Sequence, residues 1–198
     1  MAGLIFVVKP FDKPTDISTQ MMKKLSTIPL LILLCFGCEK EKFDIDNPKV
    51  AVFVKQLKNG SYNCYEKGES GENLWLLMPK FTPNHISSLI EFAKDTSHIS
   101  NFPINPISSR TPFPAGRDYF ILGECLLWTV EGIRNGYGYG SLDPFLIDTS
   151  LDEIERYKGL TSNEILLVRE VYKQWWIDFK DNDWQDKNPL EETSYRWF

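Results

Sequence analysis

Histidine is nearly missing from this chain: there are two in 198 residues, His85 and His98, and they stand in different contexts. A metal site needs a cluster of His, Cys, Asp or Glu at ligand spacing, so no metal is expected. Basic clusters are missing too. The net charge is −5, with no run of Lys and Arg that would suit nucleic acid or an anionic membrane surface. No Gly-x-Ser-x-Gly elbow marks a nucleophilic serine, although the members of a Ser-His-Asp site need not be close in sequence. No internal repeat is evident. The longest apolar run, Leu25 to Leu34, is half of the roughly 20 residues needed to span a bilayer as a helix.

That short run has its own meaning. Lys23 and Lys24 precede it, and Cys35-Phe36-Gly37-Cys38 and then Glu39-Lys40-Glu41-Lys42 follow it. A basic start, a short apolar core, a small residue before a cysteine and a charged exit form the layout of a bacterial lipoprotein signal. Residues 22–37 are read as the signal peptide, Cys38 as the lipid-bearing N-terminus and 38–46 as a tether. Residues 1–21 fit poorly, because a signal begins close to its lysines. They are read as an upstream start or an extended N-terminus.

The remainder, 47–198, is read as a single helical domain. Without residues 1–38, which hold four lysines and two aspartates, 18 basic and 25 acidic residues remain, a net charge of −7. Asn47-Pro48 opens a helix carrying Val50, Phe53, Val54 and Leu57, and Asn59-Gly60 stops it. Residues 66–73 read as an exposed loop, and Leu74 to Met78 as a buried run of undecided type. Thr82-Pro83 starts a second helix facing the core with Ile86, Leu89, Ile90 and Ala93. Residues 101–117 hold Pro103, Pro106, Pro112 and Pro114, a long irregular loop. A third helix spans Asp118 to Arg134, with Leu122, Leu126, Val130 and Ile133 in one stripe widened by Leu127 and Phe120. Gly136 is its C-cap. A short helix is expected at Asp152 to Tyr157. Thr161-Ser162-Asn163-Glu164 is a capping box for a last long helix facing inward with Ile165, Val168, Tyr172, Trp175 and Phe179. The aromatic tail Tyr195-Arg196-Trp197-Phe198 is expected to dock on the domain. The expected fold is all-α, a compact bundle of four to five helices, with HEAT-like helix pairs as a variant.

Few residues invite chemistry. Glu124, Trp128 and Glu131 fall on one face of the third helix, with the two carboxylates about 10 Å apart along its axis. That lies near the upper edge of the roughly 6.5–9.5 Å separation of inverting glycosidases. The competing reading has Glu131 paired with Arg134 at i+3 and Trp128 in the core. Ser108-Ser109 beside Pro106 reads as a turn cap. Gly136-Tyr137-Gly138-Tyr139-Gly140 imitates a phosphate loop but follows a helix instead of a strand, so no nucleotide or other cofactor is expected. Cys64 and Cys125 could form a disulfide outside the cytoplasm, or Cys125 could remain a buried thiol in its apolar helix.

Asn101-Phe102-Pro103-Ile104-Asn105-Pro106-Ile107-Ser108-Ser109 and Gly123-Glu124-Cys125-Leu126-Leu127-Trp128-Thr129-Val130-Glu131-Gly132-Ile133-Arg134 carry a family likeness. It continues through Ser141-Leu142-Asp143-Pro144 and Trp175-Trp176. The chain resembles a family of uncharacterised Bacteroidetes lipoproteins that carries the domain-of-unknown-function label DUF4943. The resemblance implies an address and a shared fold, and no catalytic residue. The expectation is therefore a lipid-anchored binding or accessory protein of the cell envelope, in the outer membrane and facing outward, with the periplasmic face as the alternative. Its partner would be an envelope protein or a glycan. The surface would be built from Asn105, Ser108, Ser109, Arg117 and Trp128. The alternatives are an envelope glycan hydrolase using Glu124 and Glu131, and a structural subunit of an envelope assembly.

Overall fold

In the first helix, Val50, Phe53, Val54 and Leu57 recur at helical spacing, and all four are buried. In the computed structural model residues 43–198 are described. The signal segment 22–37, Cys38 and most of the tether lie outside the described residues, as do residues 1–21. The tether's last residues already belong to the packed body. Phe43 packs edge-on against Tyr62 at 5.3 Å and tilted against Phe53 at 5.9 Å, and Asp44 Oδ1 accepts hydrogen bonds from the amides of Asp46 and Asn47.

Five α-helices are present among the described residues: α1 (Val50–Lys58), α2 (Ile86–Phe92), α3 (Leu122–Asn135), α4 (Glu153–Arg156) and α5 (Ser162–Phe179). Six short strands accompany them: β1 (Tyr65–Lys67), β2 (Asn73–Leu76), β3 (His98–Ile99), β4 (Phe120–Ile121), β5 (Leu146–Asp148) and β6 (Tyr195–Trp197). The strands pair antiparallel as β1–β2, β3–β4 and β5–β6, giving three two-stranded sheets. The fold is therefore mixed α/β, and the all-α expectation, HEAT-like pairs included, is wrong. Strands of two to four residues are too short to show a period of two. Each pairing satisfies backbone groups of the segments that join the helices.

The strands account for the other local differences. Phe120 and Ile121 pair with Ile99 and His98, so α3 begins at Leu122, four residues later than its apolar stripe suggests. Leu74 and Trp75 lie on β2 with their side chains exposed, so that run is not buried. The aromatic tail does dock. As β6 it sets Trp197 against Leu146 and Tyr195 against Asp148.

The middle of the molecule is α3. Every residue from Leu122 to Gly132 is buried, and α1, α2 and α5 all pack on it. Apolar and polar side chains alike had to fit this helix, which is why two glutamates stand inside the protein. Capping follows the sequence at the later helices, whereas α1 starts at Val50 with Lys49 at its N-cap and no side-chain cap, so Asn47-Pro48 lies ahead of the helix. The Thr161–Glu164 box forms at the start of α5, and Asp152 caps α4. Gly136 takes a left-handed φ of 74° at the end of α3, a conformation that favours glycine. Thr82 is boxed with His85 at the 3-10 turn Pro83–His85 ahead of α2. His85 is half-buried, and its Nε2 lies 3.1 Å from the carbonyl of Pro48.

Candidate functional site

A cleft of about 420 Å³ opens where the 101–117 loop meets the turn after α3. Asn105 and Ile107 come from the loop, Asn135 from the end of α3, and Tyr137, Tyr139, Gly140, Ser141 and Leu142 from the turn. Three large apolar side chains at its edge face solvent: Tyr137 is 82% exposed, Ile107 75% and Leu142 42%. No charged side chain lines the cleft.

The turn is held tightly to α3. A Cβ on Gly132 would stand 2.8 Å from the backbone carbon of Gly138, and one on Gly140 would stand 2.5 Å from the carbonyl oxygen of Trp128. Only glycine permits both approaches. Gly138 itself has φ 75°. Trp128 is fully buried beneath and donates Nε1–H to Ser141 Oγ at 2.8 Å. Ser141 Oγ donates in turn to the carbonyl of Asp143 at 2.7 Å. Asn105 Nδ2 donates to the carbonyl of Ser141 at 3.2 Å, and Ser108 Oγ donates to the buried Asp143 at 2.7 Å. Arg110 Nε stands 3.7 Å from the other Asp143 oxygen, and the Arg110 guanidinium lies over the Phe198 ring. The two segments Asn101–Ser109 and Ser141–Pro144, far apart in sequence, thus meet and brace one another.

Of the residues expected to form a binding surface, Asn105 lines the cleft, while Trp128 and Ser108 support it from behind. Ser109 is exposed beside them. Arg117 does not belong there. Its side chain is 7% exposed and donates Nη2–H to Glu124 Oε2 at 2.7 Å. Glu124 Oε1 accepts the amide of Leu146 at 2.7 Å. Burial pushes the Glu124 carboxyl up to about 7, against the opposing pull of Arg117 and that amide.

Glu131 is equally occupied. Arg134 Nη2 meets its Oε1 at 2.5 Å, and Tyr172 O–H donates to its Oε2 at 3.1 Å. Burial raises the Tyr172 hydroxyl well above its ordinary range. Neither carboxylate borders the cleft, so their shared helical face does not become an acid–base pair around a substrate. Cys64 and Cys125 are free thiols, and burial pushes the Cys125 thiol well up.

Tyr137, Ile107, Leu142 and Asn135 were not singled out as surface residues from the sequence. The usable signal was Gly136-Tyr137-Gly138-Tyr139-Gly140. Its alternation, set aside as a false phosphate loop, marks a backbone held close to a helix, with Tyr139 packed on Trp128 and Tyr137 turned out to solvent.

A small mixed α/β domain with a neutral, aromatic-edged cleft mounted on a buried central helix is the class that fold and site define. The chain belongs to the family described as Domain of unknown function (DUF4943), whose model matches residues 44–198. No curated protein and no solved structure matches the chain.

Proposed function

We propose that this is a lipid-anchored binding or accessory protein of the bacterial cell envelope, a Bacteroidetes lipoprotein. Cys38 carries the lipid, and the Asn105–Tyr137–Leu142 cleft is the recognition surface. The observation that carries the binding reading is the contrast at the turn after α3. Its backbone is pressed onto α3 where only glycine fits, yet Tyr137, Ile107 and Leu142 are left in water. A rigid mount for exposed apolar groups lowers the entropy lost when a ligand binds. The anchor reading rests on Lys23 to Cys38, with Gly37 before the cysteine. The net acidic charge after Cys38 offers no polybasic segment to an anionic membrane surface, which leaves the lipid as the anchor.

Protease shaving of intact cells tests the address. The wild-type protein is expected to be membrane-bound and shaved, and Cys38→Ala to be released. Wild-type protein protected from protease would place it on the periplasmic face, and a Cys38→Ala protein that stays membrane-bound would remove the anchor. A photoreactive phenylalanine analogue in place of Leu142 tests the cleft. A discrete adduct is expected from native envelopes, and none from the same analogue at Ile154 on α4, which is more open to solvent, 76% exposed against 42% for Leu142. Equal labelling from both positions would remove the cleft.

A further inference from the structure

From the chemistry of the cleft, and resting on the binding reading above, we infer that its ligand is a neutral oligosaccharide. Sugar rings present an apolar face of C–H bonds and an edge of hydroxyls, and the cleft offers both complements. The Tyr137 ring is a freely accessible aromatic surface. On such a ring the C–H face of a pyranose packs against π-electron density. Asn105 and Asn135 bring amides to the rim, and the Ser141 hydroxyl, which accepts from Trp128 and donates to Asp143, keeps one acceptor position. Asn135 Nδ2 is held by two long hydrogen bonds of 3.4 Å, to Glu131 and to the Gly140 carbonyl. Bonds of that length are weak and leave the amide able to turn to a hydroxyl.

Charge selects the class within the carbohydrates. The nearest carboxylates are turned inward: Glu131 is held by Arg134 and Tyr172, and Asp143 is fully buried, with Oδ1 on Ser108 and Oδ2 3.7 Å from Arg110. The lining itself carries neither an acid nor a base. A sulfated or sialylated glycan would meet no cation there, inside a chain of net charge −5. Size argues in the same direction. About 420 Å³ falls within the roughly 300–1,000 Å³ of small-ligand sites. The cleft is lined by eight residues, well short of the ~20 residues a side that a stable protein–protein interface uses.

The test uses the full chain in a zwitterionic, sugar-free detergent, so that no alkyl glycoside competes. Neutral hexose and N-acetylhexosamine oligomers are the probes. Sulfated and sialylated oligomers form the charged arm, and binding is read by ligand-observed saturation-transfer NMR and titration. The expected result is saturable binding of a neutral oligomer, weakened about tenfold or more by Tyr137→Ala, the loss of one aromatic contact. Tyr137→Phe should stay within about threefold, because the ring is kept. Ile154→Ser should bind as wild type. Unchanged thermal unfolding of Tyr137→Ala excludes misfolding as the cause.

Preferential binding of the charged arm, or neutral binding indifferent to Tyr137→Ala, overturns the inference. So does a protein adduct from position 142 together with no neutral-glycan binding, and in that case the binding reading survives without the sugar. No glycan binding together with equal labelling at positions 142 and 154 removes both.

Discussion

Glu124 and Arg117 show how much one buried pair can hold. The carboxylate receives the guanidinium from the Pro-rich loop and the Leu146 amide from β5, so it ties both to α3. Removing the cation leaves a buried carboxylate without its partner. Arg117→Met should cost about 3–5 kcal/mol of stability in urea unfolding, and a loss under about 1 kcal/mol would show that the pair is dispensable. The pH dependence follows from burial. The Glu124 carboxyl is raised from 4.5 to about 7 in the folded protein. Its contribution is therefore fully present below about pH 4.5 and is lost as pH rises through about 7. The stability difference between wild type and Glu124→Gln should shift against wild type across that window, with a limiting slope of about 1.4 kcal/mol per pH unit. Comparing the two proteins cancels carboxyls such as Asp95 and Asp148, which hydrogen bonds hold below their ordinary values. A difference that stays flat from pH 4.5 to 7 would contradict the assignment.

At the scale of elements, α3 and the turn after it act as one unit. Gly132 lies in the helix, where alanine is intrinsically better by about 1 kcal/mol. The Cβ that alanine adds would meet Gly138 and Tyr139 backbone at 2.8 Å, and backbone cannot swing aside like the end of a side chain. Overpacking of this kind costs about 1–3 kcal/mol, so the clash outweighs the propensity gain. Gly132→Ala should lower the thermal midpoint and displace the ring of Tyr137, and a variant more stable than wild type would mean that the turn is free to move. The helix itself was readable from its stripe of Leu122, Leu126, Val130 and Ile133. Its first turn was not, because Phe120 and Ile121 carry the same hydrophobicity whether they extend a helix or pair with β3.

At the scale of the whole molecule, the tail closes the structure. Trp197 Nε1–H donates to Tyr172 O–H at 2.8 Å, and Tyr172 donates to Glu131. Phe198 stacks on Phe145 at 4.7 Å and carries Arg110 from the Pro-rich loop. Deleting Tyr195–Phe198 removes the partner of β5 and this chain of contacts. The deletion should cost about 3–5 kcal/mol, comparable to losing a core aromatic, and lower the thermal midpoint by more than about 6 °C. A midpoint within about 2 °C of wild type would show the tail to be an appendage.

By itself the sequence determined the local features. The caps at Thr161, Asp152 and Gly136 and the buried faces of α1, α2 and α5 follow from residues within a few positions of one another, which is the range over which helical spacing and capping act. The tail's docking was legible from its aromatics alone. Only the tertiary structure decided the three small sheets, because each strand is too short to carry a pattern, and β3–β4 and β5–β6 pair across a separation in sequence, β1–β2 alone being a local hairpin. Tertiary packing also decided that Arg117 serves Glu124 instead of a ligand, that Glu131 is consumed by Arg134 and Tyr172, and that Tyr137 stands in water over a turn pressed onto α3. Burial and partnership belong to the assembled chain, since the same glutamate, arginine or tyrosine takes its role from what packing brings against it.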